Sequence, residues 1–323
     1  MSDFYDVGQE QKGVQDYRIF ILEIVEYLAI VAAAAFIFRV FLYSPFAIPG
    51  YSMSATLLPG DRILANRFIY GPVVPFTHKR IFNLKSPAMG EVVVFRDPSA
   101  QDHYSVKRCI GTPGARVRIE NKQVFVNNTA LALPATAERG SGFLIDARYS
   151  PRDNMPEFTI PKKGDYVNLE QVGLFEFDSY ASLVRQENPG TRISETADLT
   201  VNGKVDNTVD LSDFRSDKRR KDGTLNFDAM DWLQLKNVVN FLEARNDSLK
   251  YGFRRTLYMD GMKLREYTVK SDAYFLMGDN WDESMDGRYT GFVSESRIEA
   301  RASFIFWSRI EGDVRWRRLL RFI

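Results

Sequence analysis

The 323 residues carry 43 basic and 42 acidic side chains, and 45% hydrophobic with 26% charged residues is the composition of a globular protein. At roughly 150 residues per domain the length corresponds to two domains, or to one large β domain with extensions. A net charge of +1 gives no general attraction to nucleic acid. One cysteine, Cys109, excludes an intramolecular disulfide and any cysteine-rich metal site, and two histidines, His78 and His103, leave no multi-histidine centre. No metal, cofactor or nucleic-acid partner is therefore expected, and hydrolytic chemistry would need a base other than histidine.

In chain order, the first 26 residues hold six acids (Asp3, Asp6, Glu10, Asp16, Glu23, Glu26) against Lys12 and Arg18. From Tyr27 to Ile48 only Arg39, Ser44 and Pro45 are not apolar. About 20 helical residues cross a hydrocarbon core, so a single membrane span is expected over 24–43, after an acidic N-terminal segment 1–23. A buried helix is the alternative, because the uncharged run Tyr27–Phe38 is short; a cleaved signal peptide fits less well after an acidic start. Flanking charges do not decide the orientation, since Lys12 and Arg18 are balanced by Arg62 and Arg67.

Beyond residue 48 the pattern is one of strands and turns. Strands are expected at Arg62–Arg67, Glu91–Arg96, Ser105–Ile110, Arg116–Glu120, Gln123–Val126, Thr256–Met259, Tyr274–Met277 and Ala300–Trp307. Pro59-Gly60, Pro113-Gly114, Asn127-Asn128 and Asp260-Gly261 punctuate them. The expected fold is mostly β, an antiparallel domain formed by 44–127 and 256–323, with a more polar second lobe inserted at 128–255. That lobe contains a helix ending near Arg245, capped by Asn226 or Asp228, with Trp232, Leu235, Val239 and Leu242 on one face. Its basic run Lys218–Lys221 reads as a solvated loop.

The chemistry starts in AIPGYSMSATLLPGD (47–61), where Ser52 sits in a Gly/Pro-bounded turn that would expose its hydroxyl. Alone, a turn serine says little. GEVVVF (90–95), YSVKRCIGTPG (104–114) and YFLMGDNWDESMDGRYTGFV (274–293) follow in that order, and FRVFLYSPFAIP (38–49) leads in. This combination resembles bacterial type I signal peptidase, the membrane-bound serine protease family with a Ser–Lys dyad, over roughly 36–126 and 256–308.

The resemblance implies Ser52 as nucleophile, Lys107 as general base and Ser284 as the residue that orients the lysine. A free lysine, with a pKa of about 10.4, is protonated at neutral pH; burial among Val106, Cys109 and Ile110 would favour the neutral amine. The Ser52 backbone N–H would bind the oxyanion, and the helper hydroxyl that many relatives carry two residues earlier is replaced by Gly50. Gly278, Asp279, Asn280, Asp282, Asp286 and Arg288 match positions read as structural, with Asp286 and Arg288 an ion pair and Asp279 and Asn280 satisfying backbone groups. Further departures are Tyr51 for a common Gly, Ala55 for Pro, Trp281 for Arg and Glu283 for Asn. Phe46, Ile48, Pro49, Met53, Leu57, Ile63, Val94 and Val106 match positions that line two shallow apolar pockets, which implies cleavage after Ala-x-Ala-like sequences.

The implied partners are signal peptides of secreted preproteins and a lipid bilayer. The implied location is the cytoplasmic membrane of a bacterium, with a monomeric, single-pass enzyme whose catalytic domain faces outward. Two other readings use the same residues: a self-cleaving Ser–Lys regulator, disfavoured by the lack of Ala-Gly or Cys-Gly dipeptides, and a membrane-tethered binding or assembly protein that kept the fold without activity. The segment VRWRRLLRFI (314–323) reads equally as a membrane-surface element or as a tail docked on its own domain.

Overall fold

A computed structural model describes residues 6–54, 56–71, 80, 82–99, 103–132 and 153–323. Ala55, His78 and residues 133–152 of the expected lobe lie outside these residues. The fold is mostly β, built from curled antiparallel sheets.

The chain opens with helix α1, Asp6–Ile37, which loosens into a π turn at Phe38–Leu42 and becomes strand β1 at Tyr43–Ala47. The span expected at 24–43 falls on α1 and this π turn; among the described residues no helix is long and apolar enough to cross a membrane. The uncharged run of α1 starts only after Glu26, and the α geometry is lost at Phe38. Leu22, Leu28, Val31 and Phe36 are nevertheless exposed along α1.

Strands β1, β2 (Asp61–Asn66), β3 (Val92–Arg96) and β4 (Tyr104–Gly111) form the main sheet with the strands Ile298–Ile310, Ala273–Met277 and Val293–Ser294. The long strand Ile298–Ile310 is central, pairing with both β2 and β3. β1 is an edge strand. Because the order is β1, β2, Ile298–Ile310, β3, β4 and each pairing is antiparallel, β1 and β4 run parallel to each other. The curl of the sheet brings them face to face: the rings of Phe46 on β1 and Tyr104 on β4 lie 5.1 Å apart.

Strands β5 (Arg116–Glu120) and β6 (Gln123–Val126) form a hairpin in a second sheet, its turn residues Asn121 and Lys122 both at positive φ. A third sheet pairs Ile193–Val201 with Tyr251–Met259. Helices α2 (Leu174–Glu187) and α3 (Trp232–Arg245) pack together. Phe158, Phe175, Phe275 and Phe292 join the hairpin sheet, α2 and the main sheet in one aromatic core. The cap of α3 is Asp231, which accepts from Gln234 N at 2.8 Å. Asn226 instead precedes the 3-10 turn Phe227–Ala229, which contains Asp228, and Asp228 accepts from Ala197 N. Arg219, in the basic run, donates to the carbonyls of Leu211, Phe214 and Gly223, so it fastens its loop.

The turn before β2 is tied to the far end of the chain. Gly60 has φ +84°, and the Arg309 carbonyl oxygen lies 1.8 Å from where a Cβ would stand, so only glycine fits. Asp61, fully buried, accepts from Arg318 Nη2 at 2.6 Å, Arg315 Nη2 at 3.1 Å, Ser308 Oγ at 2.6 Å and Leu58 N at 2.8 Å. Asp61 is thus a buried hub, and Arg315 and Arg318 dock on their own domain. Removing the carboxylate leaves two guanidinium groups without their anion. Asp61→Ala is expected to cost about 3 kcal/mol, a fall in melting temperature of roughly 6–12 °C; an unchanged thermal melt would show that the arginines find other partners.

Candidate active site

Alternation along β4 sends Lys107 and Arg108 to opposite faces. Register sets Val93 opposite Lys107 and Val94 opposite Val106. Val93, completely buried, therefore joins Cys109 on the lysine's side of the sheet, whereas Val106 packs with Val94 on the other. Lys107 is 5% exposed. Its Nζ donates to Ser284 Oγ at 3.0 Å, and Ser284 is itself 4% exposed.

Burial lowers the Lys107 pKa; the nearby carboxylates of Asp286, Asp97 and Asp279 work against it, and Arg288 works with it. Burial prevails because these acids are already engaged. Asp286 accepts from Arg288 Nε at 2.9 Å and Nη2 at 3.0 Å, and from Gly278 N at 3.0 Å. Burial alone would raise the Asp286 pKa, but Arg288 holds it below the usual carboxylate value. Asp97 accepts from Ser99 Oγ at 2.6 Å and Ser105 Oγ at 3.0 Å. Asp279 takes both Nε and Nη2 of Arg108, at 2.7 and 2.6 Å, and Thr56 Oγ1 at 2.5 Å. Asp279 thus bonds side chains, not backbone groups, and Arg108 and Thr56 are the partners sequence reasoning missed.

Ser52 sits in a tight turn in which Ser54 N donates to Tyr51 O and Leu57 N to Met53 O. The segment 278–288 clasps this turn. Asn280 N donates to Ser52 O at 3.0 Å, and Asn280 Nδ2 donates to Tyr51 O at 3.2 Å. Gly278 makes the clasp possible: a Cβ there would stand 2.2 Å from Ser284 Oγ and 2.4 Å from Ser52 O. Ser52 and Ser284 therefore crowd one point, and Ser284 carries the contact on to Lys107. Ser52 Oγ makes no hydrogen bond to Lys107 Nζ among the described residues; nucleophile–base contacts are often long before substrate binds.

Trp281 is 1% exposed, its ring against the Arg288 guanidinium at 5.4 Å and its carbonyl accepting from Arg288 Nη2 at 2.6 Å. From α3, Trp232 Nε1 donates to Arg288 O at 3.0 Å. Asp282 pairs with Lys122 at 2.8 Å, and Glu283 accepts from Asn280 Nδ2. Gly50 is exposed, and a Cβ there meets nothing within 4 Å.

Ile48, Met53, Leu57, Ile63 and Val94 belong to one buried cluster with Phe46 and Val106 at its margin. Leu57, Ile63 and Val94 have no exposed surface and act as core, while Phe46 and Val106 are part-buried and Pro49 is exposed. Gly278→Ala is expected to cost about 2 kcal/mol by overpacking, against about 0.5 kcal/mol or less for Gly50→Ala; equal thermal melts for the two would contradict the clasp.

A model of the family described as signal peptidase, peptidase S26, matches residues 21–172 and 188–307. Signal peptidase I of Buchnera aphidicola from Acyrthosiphon pisum is 27% identical over 88% of this chain and 74% of its own. That of Haemophilus influenzae is 25% identical over 90% and 71%, and that of Pseudomonas aeruginosa 40% identical over 42% and 48%. A signal peptidase I structure from Enterococcus faecalis aligns with 68% of this chain and 98% of that one, at TM-score 0.28 and 17% identity.

Proposed function

Because the chain belongs to the signal peptidase family, peptidase S26, a family of serine endopeptidases, we propose that it removes signal peptides from exported preproteins with Ser52 as nucleophile and Lys107 as base. The observation that carries this reading is a lysine amine buried beside Ser284, with its neighbouring carboxylates already engaged. A neutral lysine amine is a base that needs no histidine.

Ser52 Oγ attacks the scissile carbonyl carbon and passes its proton to Lys107 Nζ. The Ser52 N–H binds the oxyanion, Lys107 returns the proton to the departing amine, and an acyl-enzyme remains. Lys107 then takes a proton from water, the hydroxide adds to the ester carbon, and the acid leaves as Lys107 returns that proton to Ser52 Oγ. Ser284 keeps the amine directed through both steps as a positioning residue.

Substrate binding has a natural place. Among the described residues β1 has no strand partner on its outer side, and the strand beyond β4 stops at Met277, opposite Arg108, so residues 104–107 have no strand partner on that side. An extended peptide could pair with these edges, and Phe46 and Val106 would meet the small side chains of an Ala-x-Ala site. Exposed apolar residues of α1 favour contact with a bilayer, and the outer face, where signal peptides emerge, is the side on which the enzyme works.

The test is cleavage of a preprotein bearing an Ala-x-Ala site, with the new N-terminus mapped. Ser52→Ala and Lys107→Ala are each expected to lower kcat by at least about 10³-fold. Since the neutral amine is the base, kcat/KM should rise with pH through a midpoint below the free-lysine value of about 10.4; a Lys107→Ala variant as active as wild type would end this reading. Restoring the second oxyanion donor with Gly50→Ser, at a position with open space around it, is expected to raise kcat by about tenfold or more; an unchanged rate would mean that another donor already fills the role.

A further inference from the structure

Arg288 bears on the amine through its hold on Asp286, and helices α2 and α3 in turn hold Arg288. In the short helix Gly287–Thr290, Arg288 O accepts from Trp232 Nε1 at 3.0 Å, and both residues are buried. The indole is itself fixed. Trp232 N donates to Asp178 Oδ2 on α2 at 2.6 Å, and its ring meets Phe175 edge to face at 5.4 Å. Asp178 is anchored by Arg255 Nη1 at 2.9 Å, whose Nη2 binds Glu195 at 2.8 Å. α2 also grips the residues that follow Thr290. Gln186 Nε2 donates to Phe292 O at 2.8 Å, and Gln186 Oε1 accepts from Ser294 N at 2.9 Å.

Two anions face this guanidinium. Asp286 takes its Nε and Nη2, and Asp153, 2% exposed, lies 3.9 Å from its Nη1. Tyr289 is the third titratable group near Arg288. Around the amine stand Asp286, Asp97, Asp279 and Arg288, and around Asp286 stand Arg288 and Lys107. Asp97 is engaged by Ser99 and Ser105, and Asp279 by Arg108 and Thr56, none of which touches α3. Asp286 alone among these acids relies on Arg288. A guanidinium drawn toward Asp153 would leave Asp286 to pair with Lys107.

We propose that Trp232 is a positioning residue for the reaction: by holding the Arg288 carbonyl it keeps the guanidinium on Asp286, and so keeps that carboxylate off the Lys107 amine. This rests on Ser52 and Lys107 being the dyad. Trp232 touches no reacting atom and acts through Arg288 and Asp286 in sequence. The indole N–H is the part that matters, since it alone reaches the Arg288 backbone from α3. An anion released beside a buried lysine stabilises the ammonium, so losing that N–H makes the base harder to deprotonate without removing it.

The experiment measures kcat/KM of the full-length protein on a preprotein with an Ala-x-Ala site across about pH 6 to 10, with thermal melts alongside. Trp232→Phe keeps a buried ring and removes the N–H. It should move the midpoint of the profile up by about one pH unit, so that kcat/KM falls about tenfold near neutral pH while the high-pH plateau stays within about twofold of wild type. Asp178→Asn keeps the indole and loosens the residue that carries it, and should move the midpoint the same way by less. Burial raises the Asp178 pKa to about 6, so it is an anion across the midpoint. Losing that charge would by itself lower the midpoint, so an upward shift reports on the indole. An equal loss at every pH, or an unmoved midpoint with a native melt, would overturn the proposal and leave the dyad intact. Should Trp232→Phe melt below the assay temperature, Asp178→Asn decides by the same two criteria. A wild type inert on the preprotein would overturn the dyad reading itself.

Discussion

Keeping water from one amine is the constraint on which the arrangement around β4 depends. An ammonium is among the most strongly hydrated groups a protein carries, so a lysine in a sheet interior gives up its proton unless an anion holds it there. Three carboxylates lie close enough to Lys107 to do so, and each is committed elsewhere: Asp286 to Arg288, Asp279 to Arg108, Asp97 to two serines. Arg108 thereby acts on the lysine indirectly, by occupying an acid that would otherwise pair with it, and Arg288 does the same while also repelling the ammonium directly. Trp281 extends the same logic, since its ring and carbonyl both hold Arg288 in place.

The turn that carries Ser52 is held by backbone contacts. Asn280 grips the carbonyls of Tyr51 and Ser52, and Gly278 lets the two segments approach more closely than any side chain would allow. Thr56, at the end of the same turn, is bound by Asp279. One short segment, 278–288, therefore supplies the group that meets the lysine, the clasp on the serine and the carboxylate that fixes the adjacent strand.

Much of the fold was legible because it is written locally. The hairpin at 116–126 has alternating apolar residues and two turn residues able to adopt positive φ, and its strands fall where the pattern puts them. The mostly β character was equally plain. Register was not legible: Val93 opposite Lys107 depends on pairing with another strand, and a shift of one residue exchanges it for Val94. Arg108 beside Asp279 joins residues far apart in the chain, with no local signature at either. Helix α2 lies in the polar stretch read as an inserted lobe with one helix near Arg245, yet Phe175, Phe177 and Val184 are buried against the aromatic core. The role of Asp61 has no local signature, because its arginine partners lie more than 250 positions away. The helix near the start follows its apolar run only as far as Phe38, where the change to π geometry prepares the strand.

The distances along the chain between the parts of the site carry a consequence for its timing. The serine turn at 50–57 leaves the ribosome early, but the groups that brace it, from Asn280 to Arg318, follow more than 220 residues later. Until they arrive, nothing clasps Ser52 and the amine of Lys107 stays hydrated and protonated. On the proposed reading of Ser52 and Lys107, the parts of the site therefore come together only late in synthesis, once the central strand 298–310 closes the sheet.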